Sequence, residues 1–89
     1  MAKFRVPTPL RPYTGENEYV QVDGGTVQDA LDHLTTQYPE IKPHLFNEGA
    51  LRSFVNIFVG EEDMRYLDGV KTTISDETQL LIIPSIAGG

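Results

Sequence analysis

The chain has 89 residues, no cysteine and a formal net charge of −6. That length allows one domain, able to bury about 60% of its unfolded surface, and it leaves no disulfide or thiolate metal site to support the fold. The acidity argues against nucleic acid as a partner and favours approach to a basic protein surface. No apolar run reaches membrane-spanning length. The start, Met1-Ala2-Lys3-Phe4-Arg5, enters a strand pattern with no signal-peptide core. The lack of cysteine suits a reducing cytosol, so a cytoplasmic protein is expected.

Lys3-Phe4-Arg5-Val6-Pro7 alternates polar and apolar, the period of a half-buried strand. Pro7, Pro9 and Pro12 break the pattern, with Leu10 and Tyr13 as anchors of an irregular turn. Glu18-Tyr19-Val20-Gln21-Val22 alternates again and completes a hairpin with a long loop. After Asp23-Gly24-Gly25, Thr26 is a suitable helix N-cap, with Asp29 three residues on. Val27, Ala30, Leu31, Leu34 and Tyr38 then form one apolar stripe, and Pro39 stops the helix.

Residues 39–52 read as irregular, pinned by Ile41, Leu45, Phe46 and Leu51, with a short helical turn near 43–47. Residues 53–59 give the clearest strand, with Val55, Ile57 and Val59 on one face and Phe54, Asn56 and Phe58 on the other. Gly60 to Asp63 turn the chain, a short edge strand is expected over 64–67, and a brief extended piece over 70–74. Gln79-Leu80-Leu81-Ile82-Ile83-Pro84 forms the final strand. One helix on one face of a small mixed sheet is an α+β architecture. With the first and last strands as parallel central neighbours and right-handed crossovers, it is the β-grasp, or ubiquitin-like, arrangement.

Two features point to function. The first is the end of the sequence, Ser85-Ile86-Ala87-Gly88-Gly89. A domain over 1–84 is expected to carry 85–89 as a flexible tail, which when extended reaches roughly 17 Å at about 3.4 Å per residue. Gly88 and Gly89 have no Cβ and fit a channel too narrow for side chains, and Ala87 is nearly as slim. An α-carboxylate with a pKa of about 3.5 is ionised and unreactive at neutral pH, so a carboxylate on Gly89 requires activation, most simply as an acyl adenylate. The second feature is the sheet face turned away from the helix, where Phe54, Phe58, Leu81 and Ile83 should form an apolar patch beside the base of the tail. Such patches mark interaction sites. The alternative is that residues 39–52 fold over it.

Other constellations are ordinary. His33 and His44 are isolated, Glu61-Glu62-Asp63 lacks the spacing of a calcium loop, and the serines lack nucleophile-elbow glycines. Gly24-Gly25 lacks the lysine and spacing of a phosphate loop. No catalytic residue, metal site or bound cofactor is expected, and the chain is not read as an enzyme.

Over essentially its whole length the chain resembles the MoaD/ThiS sulfur-carrier proteins, and within them the CysO-like members. Leu10-Arg11-Pro12-Tyr13-Thr14-Gly15, Phe54-Val55-Asn56-Ile57-Phe58-Val59, Glu62-Asp63-Met64-Arg65 and Ile83-Pro84-Ser85-Ile86-Ala87-Gly88-Gly89 carry the resemblance. It implies that an E1-like enzyme uses ATP to adenylate Gly89, and that a sulfur donor then converts it to a thiocarboxylate. The sulfur passes to an acceptor enzyme such as a cysteine synthase or the large subunit of molybdopterin synthase, or to the thiazole of thiamin. Ubiquitin-like conjugation to proteins uses the same arm and activation. A non-covalent β-grasp binding module, with an inert tail, is a further alternative.

Overall fold

A computed structural model describes residues 1–84. Its strands are β1 (Ala2–Arg5), β2 (Tyr19–Val22), β3 (Phe46–Asn47), β4 (Ala50–Leu51), β5 (Val55–Val59), β6 (Glu62–Asp63) and β7 (Gln79–Pro84). Its α-helices are α1 (Val27–Gln37) and the single turn α2 (Lys42–Leu45). The main sheet has the order β2-β1-β7-β5-β6. Strands β1 and β2 form an antiparallel hairpin, β1 and β7 are parallel central neighbours, and β5 runs antiparallel to both β7 and β6. Strands β3 and β4 form a separate small ribbon. The β-grasp expectation therefore holds, strand for strand, at the centre of the sheet.

Alternation places Phe4, Val20, Val22, Ile57, Leu80 and Ile82 beneath α1, where Val27, Ala30, Leu31 and Leu34 meet them. These side chains are essentially fully buried, and each one larger than alanine contributes on the order of 1.5–3 kcal/mol through removal from water. The helix starts where local chemistry dictates. Thr26 Oγ1 accepts the Asp29 N–H (3.2 Å), and Asp29 Oδ2 accepts the Gly25 N–H (3.3 Å), so two donors at the helix start are satisfied reciprocally. Gly24 is required there: its φ is +141°, and a Cβ would lie 2.5 Å from the Asp29 Cβ. At the other end, Tyr38 leaves helical geometry (φ −128°, ψ 79°) ahead of Pro39, because proline disfavours the helical region in the residue before it.

Three expectations are corrected. Residues 64–67 are not a strand: Asp63 Oδ1 accepts the Arg65 N–H (2.9 Å), and this local bond winds Met64–Tyr66 into a 3₁₀ turn. The edge strand is the two-residue β6, reached through Gly60 at φ +64°. Residues 70–74 are likewise mostly not extended; Gly69–Lys71 is 3₁₀ and only Thr73 bridges, to Thr26. The irregular segment 39–52 contains a 3₁₀ turn, α2 and the β3–β4 ribbon, and it is pinned by the fully buried Ile41 and Leu45. Among the described residues no helix is long and apolar enough to cross a membrane.

Candidate functional site

The candidate site is the sheet face opposite α1 together with the end of β7. Register fixes what lies there. Arg5 pairs with Tyr19 on one side and Leu81 on the other. Phe58 pairs with Leu81 and with Asp63. One row across all five strands therefore reads Tyr19, Arg5, Leu81, Phe58, Asp63. Next to it Ile83 pairs with Asn56, and Gln79 pairs with Lys3. The apolar part is confined to β7 and β5, with cationic side chains over β1 and a carboxylate at the β6 edge.

Leu81, Phe58 and Ile83 are each half-buried, so neighbours shield part of the patch that the sequence suggested would be open. Phe54 does not belong to this row. A hydrogen bond from the Val55 N–H to Arg52 O (3.0 Å) closes a turn over Arg52–Val55, so strand alternation does not extend to Phe54. Its ring is half-buried and packs against the core, under the Arg52 guanidinium at 5.9 Å from the ring centroid. Because Val55 pairs with Pro84, Phe54 still lies beside the end of β7.

Pro84 lines two hollows. One, of about 370 Å³, is bordered by Arg5, Pro7, Thr8, Pro9, Arg11 and the Leu81–Pro84 stretch of β7. The other, of about 310 Å³, is bordered by Pro9, Leu10, Pro43, His44, Arg52 and Phe54. Arg5 and Arg11 are missed by reasoning from apolar patterning alone. The period-2 signal that buries Phe4 and Val6 also turns Arg5 outward, so it was available in the sequence. Arg11 was not, because its place depends on tertiary bonds: its Nε donates to Val6 O (3.0 Å), and its guanidinium lies 3.6 Å from Glu18 Oε2. The same Glu18 oxygen accepts from Arg5 Nε (3.2 Å).

The motifs that carried the resemblance prove to be ties around this site. In the 3₁₀ segment Thr8–Thr14, Leu10 enters the core and Thr14 is fully buried. The Thr14 hydroxyl donor lies within reach of Asn17 O (3.1 Å) and Arg11 O (3.3 Å). Gly15, at φ +62°, caps the segment. In the motif Glu62-Asp63-Met64-Arg65, Met64 is buried, and the Arg65 guanidinium donates to Ser53 O (3.1 Å) and Val55 O (3.3 Å) beside the start of β5.

His33 Nδ1 accepts the Asp23 N–H (2.7 Å), and His44 stacks on Tyr13 with ring centroids 4.0 Å apart. Both histidines thus have structural partners. Among the described residues no group of three His, Asp or Glu side chains is placed to hold a metal ion. The tail residues singled out from the sequence, Ile86, Ala87, Gly88 and Gly89, lie outside the described residues.

Known proteins share this arrangement. Residues 4–89 match the ThiS family. The chain is 38% identical over 87 residues to the sulfur carrier protein CysO of Mycobacterium tuberculosis, covering 94% of each sequence. Among solved structures it superposes on CysO from the Amycolatopsis orientalis BexX/CysO complex with a TM-score of 0.90, at 34% identity and with both chains fully covered. It superposes on small archaeal modifier protein 1 from Methanosarcina acetivorans with a TM-score of 0.89, at 28% identity, over 99% of this chain and 95% of that one. With a family match over residues 4–89 and a 38% identical relative covered to 94%, the chain belongs to the ThiS family of ubiquitin-like β-grasp proteins.

Proposed function

We propose that the chain is a sulfur carrier in which the carboxylate of Gly89 is the working group. The observation that carries this reading is a family match that runs through residue 89, joined to the 38% identity with a sulfur carrier. In the proposed cycle an E1-like enzyme brings ATP to the tail. A carboxylate oxygen attacks the α-phosphorus, pyrophosphate leaves, and an acyl adenylate forms. A sulfide-level donor then attacks the carbonyl carbon and AMP leaves, giving a thiocarboxylate. A thioacid is ionised and nucleophilic at neutral pH, so its sulfur attacks an activated acceptor and displaces that acceptor's leaving group, and hydrolysis of the resulting acyl bond releases the sulfur-bearing product and restores the Gly89 carboxylate.

On this reading the chain presents chemistry rather than catalysing it, and sulfur carried on a carboxylate needs no cysteine. The acceptor favoured by the CysO likeness is an activated serine derivative held by a cysteine synthase. Gly88, Ala87 and Ile86 thread the enzyme channel, with the slimmest residues deepest. Phe58, Leu81 and Ile83 seat the partner beside the root of the tail, with Phe54 flanking Pro84.

A second reading has its own support. The likeness to an archaeal modifier protein fits conjugation, in which a lysine amine rather than sulfide attacks the adenylate-derived acyl group.

Intact mass spectrometry separates these readings. The chain is incubated with the E1-like enzyme of its own organism, ATP and sulfide. A gain equal to the difference between sulfur and oxygen, absent when Gly89 is deleted, is the expected result. An unchanged mass with an enzyme competent on another carrier overturns sulfur transfer, and an adduct on a protein lysine establishes conjugation.

A further inference from the structure

The turn after β6 presents an aromatic side chain that the described fold does not use. Each neighbour of Tyr66 is tied down. Met64 is buried in the core, and Arg65 is held through its N–H by Asp63 and through its guanidinium by the carbonyls of Ser53 and Val55. The Leu67 N–H donates to Met64 O (2.9 Å). Between these ties Tyr66 is 85% exposed and Leu67 is 39% exposed. A tyrosine on a pinned turn has already lost its backbone freedom, so only two side-chain torsions remain to be ordered on binding. That is the economy of rigid aromatic anchors at interfaces.

Charge surrounds this pair. The eight residues 61–68 contain four carboxylates and one arginine, a net −3 that is half of the whole chain's −6. The arginine is turned onto the carbonyls of Ser53 and Val55. The turn also continues the outer sheet face, because Asp63, its first residue, pairs with Phe58.

The geometry points to Tyr66 and Leu67 as a second anchor for the activating enzyme, inserted into an apolar pocket of that enzyme bordered by lysine or arginine side chains. This rests on the sulfur-carrier reading. An enzyme that assembles ATP phosphates with an anionic tail presents positive potential on its approach face, and an acidic rim is steered to it. The same acidity disfavours an anionic membrane or nucleic acid as the occupant.

The test uses the full chain and the purified E1-like enzyme of the same organism, with Kd, association and dissociation rates measured at two salt concentrations. Thiocarboxylate yield is followed by mass on the same samples. Tyr66→Ala with Leu67→Ser should weaken binding by about tenfold or more, through faster dissociation, while saturating enzyme restores the yield. Tyr66→Phe should bind as the parent chain does. Glu61→Gln with Glu62→Gln should slow association and flatten its salt dependence. Both Tyr66 and Leu67 are exposed, so an unchanged thermal transition in the double variant separates lost binding from lost folding. A parent chain that gains sulfur beside a Tyr66/Leu67 variant of equal affinity overturns this inference alone. A parent chain that neither binds nor gains sulfur overturns the carrier reading and this inference with it.

Discussion

Strand β7 has two faces made of the same kind of residue. Leu80 and Ile82 are wholly buried under α1, whereas Leu81 and Ile83 are half-buried on the opposite side. The first pair meets Phe4, Ile57 and Leu31 across a closed core. The second lies among Arg5, Phe58 and Asn56, on the face opposite α1. Hydrophobicity therefore does not distinguish a residue that holds the fold from one available to a partner. Strand parity does, and a one-residue slip of β7 would exchange the two roles.

Substitution can break this contrast or sharpen it. The largest loss of stability is expected from Ile82→Ala, about 2–5 kcal/mol in urea denaturation, because a fully buried site loses both transfer energy and packing. Gly24→Ala should follow at about 1–3 kcal/mol by the same measurement, since the new Cβ meets Asp29 in a backbone region unfavourable to L-residues. Thr26→Ala, which removes the cap of α1, should cost about 1 kcal/mol.

On the other face, Leu81→Ser should shift the denaturation midpoint less than any of these, yet, on the sulfur-carrier proposal, weaken capture by an E1-like enzyme more than all of them. A Leu81→Ser variant that unfolds like Ile82→Ala would abolish the contrast. Smallest of all, Glu18→Gln should change stability by about 0–1 kcal/mol, in a salt-dependent manner. Its ion pairs with Arg5 and Arg11 are substantially exposed and screened by water.

Period and punctuation made much of this legible. Alternation over 3–6 and 18–22 identified the β1–β2 hairpin, the apolar run over 79–84 identified β7, and the stripe from Val27 to Leu34 identified the helix. Thr26 and Pro39 marked the helix limits, and the handedness of crossovers ordered the middle of the sheet. What was not legible depended on bonds that no local pattern announces. Phe54 left the strand because Arg52 is fixed from a distance, its N–H on Leu45 O (2.8 Å) and its Nε on Pro43 O (3.0 Å). Residues 64–67 read as extended because their composition suits a strand, but one carboxylate at Asp63 offered the backbone a competing partner. Within the candidate site, Leu81, Ile83 and Phe58 followed from parity. The Arg5–Glu18–Arg11 cluster and the pinning of Tyr66 depend on contacts between separated segments.

The central position of β7 has a mechanical consequence. Whatever grips the residues beyond Pro84 pulls on a strand laddered on both sides, to β1 over three residue pairs and to β5 over five. Tension along β7 loads both ladders in shear, so their hydrogen bonds resist together instead of opening one at a time. An edge strand in the same role would peel away under the same pull. On the sulfur-carrier proposal, an enzyme that draws on the residues after Pro84 would load the middle strand of the sheet and leave the domain intact.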